Sequence, residues 1–254
     1  MKIVVCYKCV PFSDSIKVNA DRTLDFSETT YEVGQYDYNA VEAAMQLAAA
    51  ADSSVIALTA NGEITSNSKM RKGILSRGPA EMFGVQDNSL ETADSYSTAK
   101  VLKAAIDKIG DVDIVFCGEG SGDMYAQQVG PILGGILGWT TINSVCGIMY
   151  DGETLILDRV VDDGVETVKA TFPMVVSVTG DINHPRIPTM KDIMGASKKP
   201  ATVWSIEDVC DANESTTDVR SILAPEEMGR QKIVLPDASE ENINKFFEYM
   251  KQAL

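Results

Sequence analysis

The chain has 254 residues, with 22 basic against 37 acidic side chains and a formal net charge of −15. Its 44% hydrophobic and 23% charged residues are an ordinary globular balance, and its negative field argues against nucleic-acid binding while leaving open a nucleotide held locally by backbone N–H groups. No apolar run reaches the roughly 18 residues that span a bilayer, the opening Met1-Lys2-Ile3-Val4-Val5-Cys6 shows no leader pattern, and five cysteines with a single histidine, His184, suggest reduced thiols in the cytoplasm and exclude a centre needing two His ligands.

In chain order, Lys2–Tyr7 reads as a buried strand. Ala40–Ala51 has helical spacing, with Val41, Ala44, Met45 and Ala48 on one side. Ser54–Thr59 is a second strand ended by Asn61-Gly62, and Ser66–Ser76 a helix stopped by Gly78-Pro79. Glu81–Val85 reads as a short strand, Ala93–Ile109 as a helix with Ala99, Leu102, Ala105, Ile106 and Ile109 on one face, and Asp113–Cys117 as another buried strand. After a glycine-rich turn, a helix is expected from about Tyr125 to Leu137. This alternation predicts a mostly parallel, Rossmann-like α/β sheet with helices on both faces.

The pattern then changes. Ser144–Tyr150, Glu153–Val161 and Val165–Ala170 read as consecutive strands with Asp151-Gly152 and Asp163-Gly164 in the turns, which predicts an antiparallel addition. Pro173–Thr179 returns to a buried-strand composition. These readings place a nucleotide-binding α/β domain at residues 1–204 and a C-terminal arm at 205–254. The arm carries five basic and eleven acidic residues and ends in an expected amphipathic helix, Glu240–Ala253, with Ile243, Phe246, Phe247 and Met250 on one face. It is too sparse in apolar residues to build its own core, so it packs either on its own domain or on a partner chain.

The most informative stretch is Gly118-Glu119-Gly120-Ser121-Gly122-Asp123, which runs through Tyr125 and Gln127-Gln128 into Val129-Gly130. A strand ends, glycines appear at alternate positions and a helix begins, a design that brings backbone close to a ligand and aims N–H groups at an anion. No Gly-Lys-Ser/Thr follows and the Rossmann fingerprint spacing is missing. A tight turn without ligand is the competing reading, with Asp123 as a helix N-cap. Cys6-Tyr7-Lys8-Cys9 is a C-x-x-C, but Cys6 ends a strand, Pro11 follows, and no second ligand pair exists, so structural cysteines are expected. Tyr36-Asp37-Tyr38-Asn39 is either a helix entry capped by Asp or Asn, or a ligand-facing loop. His184 has no nucleophile beside it in sequence, and Lys198-Lys199-Pro200 reads as a solvated basic cluster. No nucleophile–base pair or metal cluster emerges.

Taken together, several segments resemble the beta subunit of electron transfer flavoproteins, in its FixA-like branch. They are Cys6-Tyr7-Lys8-Cys9-Val10-Pro11, Gln35-Tyr36-Asp37-Tyr38-Asn39-Ala40-Val41-Glu42-Ala43, Leu75-Ser76-Arg77-Gly78-Pro79, Tyr125-Ala126-Gln127-Gln128-Val129-Gly130, Asn183-x-Pro185-Arg186, and a helix ending at Lys198-Lys199-Pro200. The resemblance covers about residues 1–205. It implies the adenine nucleotide alpha hydrolase-like fold and an electron carrier, not an enzyme. It also implies a heterodimer with a FixB-like alpha subunit that holds most of the principal FAD. By position, the second adenine nucleotide falls at Cys6, at Gly34, Gln35, Tyr36 and Asp37, at Ala60, and at Gly118, Glu119, Gly120, Ser121, Gly122, Asp123, Tyr125, Gln127, Gln128, Val129 and Gly130. That nucleotide is AMP in ordinary members and FAD in the bifurcating branch. Here Gln127-Gln128-Val129-Gly130-Pro131 replaces the AMP-type Asn-Gln-Thr-Gly-Gln and the usual Gly-Pro pair is missing after Ala60, so FAD is favoured. The resemblance further implies that residues 183–199 meet an acyl-CoA dehydrogenase-like or quinone oxidoreductase partner, in anaerobic metabolism such as carnitine reduction, and that the arm wraps the alpha subunit. Two alternatives share the coarse pattern: a stand-alone nucleotide-binding module of the stress-protein type, and a nucleotide-activating ligase.

Overall fold

The structure is a computed structural model; it describes residues 1–210, 215, 217, 219–226, 229 and 232–253, so parts of the expected arm lie outside the described residues. The chain opens with β1 (Lys2–Cys6), whose valines and isoleucine are fully buried. An excursion follows: β2 (Cys9–Pro11) pairs with β5 (Tyr31–Val33), and β3 (Lys17–Val18) with β4 (Leu24–Asp25), as two small antiparallel ladders. Then come α1 (Gln35–Ala50), β6 (Ser54–Asn61), α2 (Ser68–Leu75), β7 (Glu81–Gln86), α3 (Ser95–Ile109), β8 (Ile114–Gly118) and α4 (Val129–Leu137). The hairpin strands β9 (Thr140–Tyr150), β10 (Leu155–Val161) and β11 (Gly164–Ala170) precede β12 (Met174–Val178), α5 (Met190–Ala196), β13 (Ala201–Ser205) and α6 (Glu240–Ala253).

One nine-stranded sheet organises the molecule, in the order β11-β10-β9-β12-β8-β1-β6-β7-β13. From β9 to β13 every pairing is parallel; β10 and β11 add on antiparallel beyond β9. The expected fold class and the antiparallel addition are therefore both present. β1 lies between β6 and β8, so successive crossovers leave it in opposite directions. Loops after β1 and β8 part there and open a crevice at the carboxyl end of the sheet, where open α/β sheets place ligands.

Local chemistry explains the elements. Asn67 caps α2 by accepting Lys69 N–H at 2.9 Å, Asp94 caps α3 by accepting Ser97 N–H at 2.7 Å, and Gly110, with φ of 69°, ends α3. One face of the sheet buries α1 and α2 through Val41, Ala44, Leu47, Ile74 and Leu75; the other buries α3 and α4 through Ala99, Leu102, Ala105, Ile106 and Leu133. No helix among the described residues is long and apolar enough to cross a membrane.

Several expected boundaries move. The first helix begins at Gln35 with Gly34 at its N-cap, so neither Asp37 nor Asn39 is the cap. The helix expected from Tyr125 begins only at Val129, because Tyr125 (φ 44°) and Gln127 (φ 56°) take left-handed conformations that interrupt a right-handed helix. The helix expected to end at Pro200 stops at Ala196. Lys199 is no solvated charge: its ammonium donates to the carbonyls of Leu75, Gly78 and Pro79 at 2.8, 3.2 and 2.6 Å and so closes the C-terminal end of α2. β13 was not anticipated; it completes the sheet edge, with Trp204 stacked on Phe83 at 4.7 Å between centroids and Ile206 buried just beyond.

Candidate functional site

The crevice is built from four strand ends. Gly34, Gln35, Tyr36 and Asp37 form the cap and first turn of α1, reached through the excursion that follows β1. Gly118 ends β8, and Glu119 to Gln128 arch over the crevice before α4 starts at Val129 and Gly130. Ala60 lies in β6 on the far side of β1. Cys6 ends β1, and its buried side chain contacts that of Cys117 on the neighbouring strand. The structure thus brings the segments around Cys6, Gly34–Asp37, Ala60 and Gly118–Gly130 to the carboxyl end of the sheet, while Lys199 lies elsewhere, at the end of α2.

Asp37 ties the two sides together. Its buried carboxylate accepts the Lys8 backbone N–H at 2.7 Å and also bonds the Gly118 N–H, so the ends of β1 and β8 meet on one side chain. Burial raises its pKa to about 7, although both N–H bonds and the Lys8 charge work in the opposite direction. Gly118 is required by this proximity: a Cβ there would sit 2.8 Å from an Asp37 carboxylate oxygen and 2.8 Å from the Tyr36 carbonyl carbon. A side-chain contact can yield, but a backbone contact of that length cannot.

The arch has its own supports. Lys8 Nζ donates to Asp123 Oδ2 at 2.6 Å, and Asp123 Oδ1 accepts Met124 N–H at 2.8 Å. Asp123 therefore orders the loop and is not the cap of α4. Tyr125 packs on Tyr36 with 5.4 Å between centroids, and Gly120 lets the Tyr125 ring approach to where a Cβ would stand 2.7 Å away.

Beneath the arch, Glu119, Gln127, Asn143, Ser144 and Ser177 line a cavity of about 210 Å³. Ser144 (φ 56°) sits at a bulge where β9 slips register against β12, which turns backbone and side chain towards this space. Ser177 is 2% exposed and its hydroxyl has no hydrogen-bond partner among the described residues. Gly130, in the first turn of α4, lies against it: a Cβ at Gly130 would be 3.0 Å from Ser177 Oγ. Gln128, at the N-cap of α4, makes no side-chain capping bond. The buried hydroxyl and the start of a nine-residue helix without a side-chain cap thus lie against each other beside this cavity, a donor set suited to an anion.

The cysteines behave as structural groups. Burial lifts the Cys9 thiol to about 12, and the neighbouring Cys117 and burial hold Cys6 well above the ordinary thiol range, so neither is a reactive thiolate. His184 is exposed.

Sequence reasoning missed Ser177, Ser144, Asn143 and Lys8. Ser177 left one trace, a lone hydroxyl inside the apolar run Met174-Val175-Val176-Ser177-Val178. The bulge that presents Ser144 leaves none.

Residues 23–209 match the electron transfer flavoprotein domain, a stretch that covers most of the chain and includes α1, the arch and the cavity.

Proposed function

The chain belongs to the electron transfer flavoprotein family, and from that premise we propose that it is the beta-type, FixA-like subunit of a two-subunit electron carrier. Members of the family carry electrons and do not themselves turn over a substrate. One observation carries the reading to a particular place: Ser177, whose buried hydroxyl has no hydrogen-bond partner among the described residues, and the start of α4 that lies against it stand beside one cavity lined from the loop after β8 and from β9 and β12.

In this reading the crevice holds an adenine nucleotide. Val129 and Gly130 N–H groups and the Ser177 hydroxyl take the phosphate, and backbone at Gly34–Asp37 and at Gly118–Asp123 lines the rest. Backbone contacts explain how side chains there depart from the AMP-type loop without losing the site. Val129 offers no hydroxyl where that loop has Thr, which favours FAD over AMP. A bound flavin supplies the redox chemistry, and the chain supplies position, dipoles and exclusion of water. Asp37 holds the loops after β1 and β8 at a fixed separation, and the Lys8–Asp123 pair anchors the arch.

Two surfaces complete the proposal. The apolar face of α6 is exposed at Ile243, Phe246, Phe247 and Met250, and we assign it to the alpha-type subunit. Residues 187–196 expose Ile187, Met190 and Met194, and we assign them to a dehydrogenase-like or quinone-linked electron partner.

The test is a chromatographic count of nucleotides released by acid from the co-purified pair. Two FAD per pair support the FAD reading; one FAD and one AMP keep the carrier and overturn the FAD assignment. A chain that carries no nucleotide and recruits no flavoprotein subunit overturns the whole proposal.

A further inference from the structure

Residues 187–196 have little core of their own. Ile187 is 90% exposed, Met190 73% and Met194 69%, while Ala196 is buried. Order in such a segment comes from its two ends. At the far end, Lys199 is held by three carbonyls of the α2 terminus. At the near end, residues 180–186 are fastened along one flank of α1. The Asn39 amide, 3% exposed, donates to the Gly180 carbonyl at 3.0 Å and to the Asn183 carbonyl and side-chain oxygen at 2.9 and 3.2 Å. Asn183 returns a bond to the Asn39 carbonyl at 3.0 Å. The carboxylate of Glu42, itself buried, accepts the Arg186 backbone N–H at 3.2 Å and its guanidinium at 2.6 and 3.0 Å. Arg186 holds the Glu42 carboxyl below its ordinary range, as a bidentate pair should.

These fasteners stand three residues apart on α1, in register with Tyr36, whose ring lies against Gly180. The helix that begins in the crevice therefore carries the clamp on its next turns. We propose that α1 is a strut through which nucleotide occupancy sets the order of residues 187–196, with Asn39–Asn183 and Glu42–Arg186 as its positioning clamp. The proposal rests on the reading of the crevice as a nucleotide site. A nucleotide that orders Tyr36 and the first turn of α1 lowers the remaining cost of ordering residues 180–186, and through them the exposed apolar segment becomes a more rigid docking surface.

Hydrogen exchange on the full chain, with and without saturating AMP, tests this. In the wild type, exchange in residues 187–196 should slow about fivefold or more when AMP protects residues 118–128, the low end of typical site-to-site coupling. Glu42→Gln keeps the shape of the clamp and removes its charge; AMP should still protect 118–128 but leave 187–196 unchanged. Lys199→Met loosens the other end, so its segment should exchange faster at baseline and still slow on AMP addition. A merely structural clamp would make Glu42→Gln behave like Lys199→Met, with the AMP response retained, and that outcome overturns the proposal. So does a wild type in which AMP protects 118–128 and not 187–196. Where AMP does not protect 118–128, the same comparisons are read with saturating FAD; failure of both AMP and FAD to protect 118–128 is a separate result that removes the nucleotide site itself and the strut with it.

Discussion

Helices α4 and α6 make an instructive pair. Both carry a run of apolar side chains, yet α4 buries Leu133 completely between α3 and the sheet, while Ile243, Phe246, Phe247 and Met250 of α6 remain 42–56% exposed. α4 follows β8 across the arch and returns to the sheet through β9, so its apolar face has a partner in its own chain. α6 lies far along an acidic tail whose described contacts with the body include an Arg22–Glu226 pair at 3.1 Å, the Ala224 N–H on the Arg22 carbonyl at 2.9 Å, a bridge between Thr23 and Leu223, and hydrogen bonds of Ser215 and Thr217 with Asp94 at 3.3 Å. An amphipathic helix whose apolar face stays exposed among the described residues is suited to a partner outside its own chain.

The largest expected effect breaks the α6 side of this comparison. Replacing both Phe246 and Phe247 by Asp should weaken pairing with the alpha-type subunit by about 2 kcal/mol or more, as loss of aromatic anchors does at interfaces. The melting temperature of the isolated chain should not change, because both rings are already exposed. Co-purification yield and a thermal melt read the two effects separately; a lowered melt with intact pairing would place α6 on its own domain.

On the α4 side, Gly118→Ala should destabilise the fold by about 1–3 kcal/mol and abolish nucleotide retention, since its Cβ meets Tyr36 backbone as well as Asp37. Denaturant unfolding and nucleotide release measure both. Ser177→Ala sharpens the comparison further. The hydroxyl has no partner among the described residues, so its removal should leave stability equal or up to about 1 kcal/mol higher, while nucleotide affinity falls about tenfold through loss of a hydrogen bond to a charged group. Stability falling in step with affinity would show that Ser177 serves packing instead.

The smallest effect is a pH dependence. Asp37 has a folded pKa near 7, above its unfolded value of 3.8. Between those values the folded chain binds more protons than the unfolded one, so this residue's contribution to stability is greatest below pH 4 and declines as pH rises to about 7. Across that window the melting temperature of wild type should fall relative to that of Asp37→Asn as pH rises, since only the wild type must ionise a buried carboxyl. Parallel curves would show that Asp37 stays ionised in the fold.

Much of this was legible in the residues. Alternating apolar runs and helical spacings identified the parallel sheet, and Asp-Gly turns identified the antiparallel strands. The glycine-rich stretch after β8 identified the arch, because only a backbone free of Cβ passes so close to Tyr36 and Asp37. The start of α4 was misplaced because a left-handed residue such as Tyr125 or Gln127 carries no side-chain signature. Lys199 looked solvated because its three carbonyl partners lie more than a hundred residues away.

By itself the sequence determined the fold class, the two helical faces of the sheet, the glycine-lined arch and the family. The fold class, the helical faces and the arch depend on local periodicity and on residues whose backbone freedom is intrinsic, and the family on motifs that resemble those of known members. Only the tertiary structure decided that Ser177 faces the start of α4, that Asp37 joins two strand ends, and that Asn39 and Glu42 hold residues 180–186. Each of these is a meeting of groups distant in sequence. Whether a polar side chain there is solvated, capped or left without a partner depends on what the fold brings beside it.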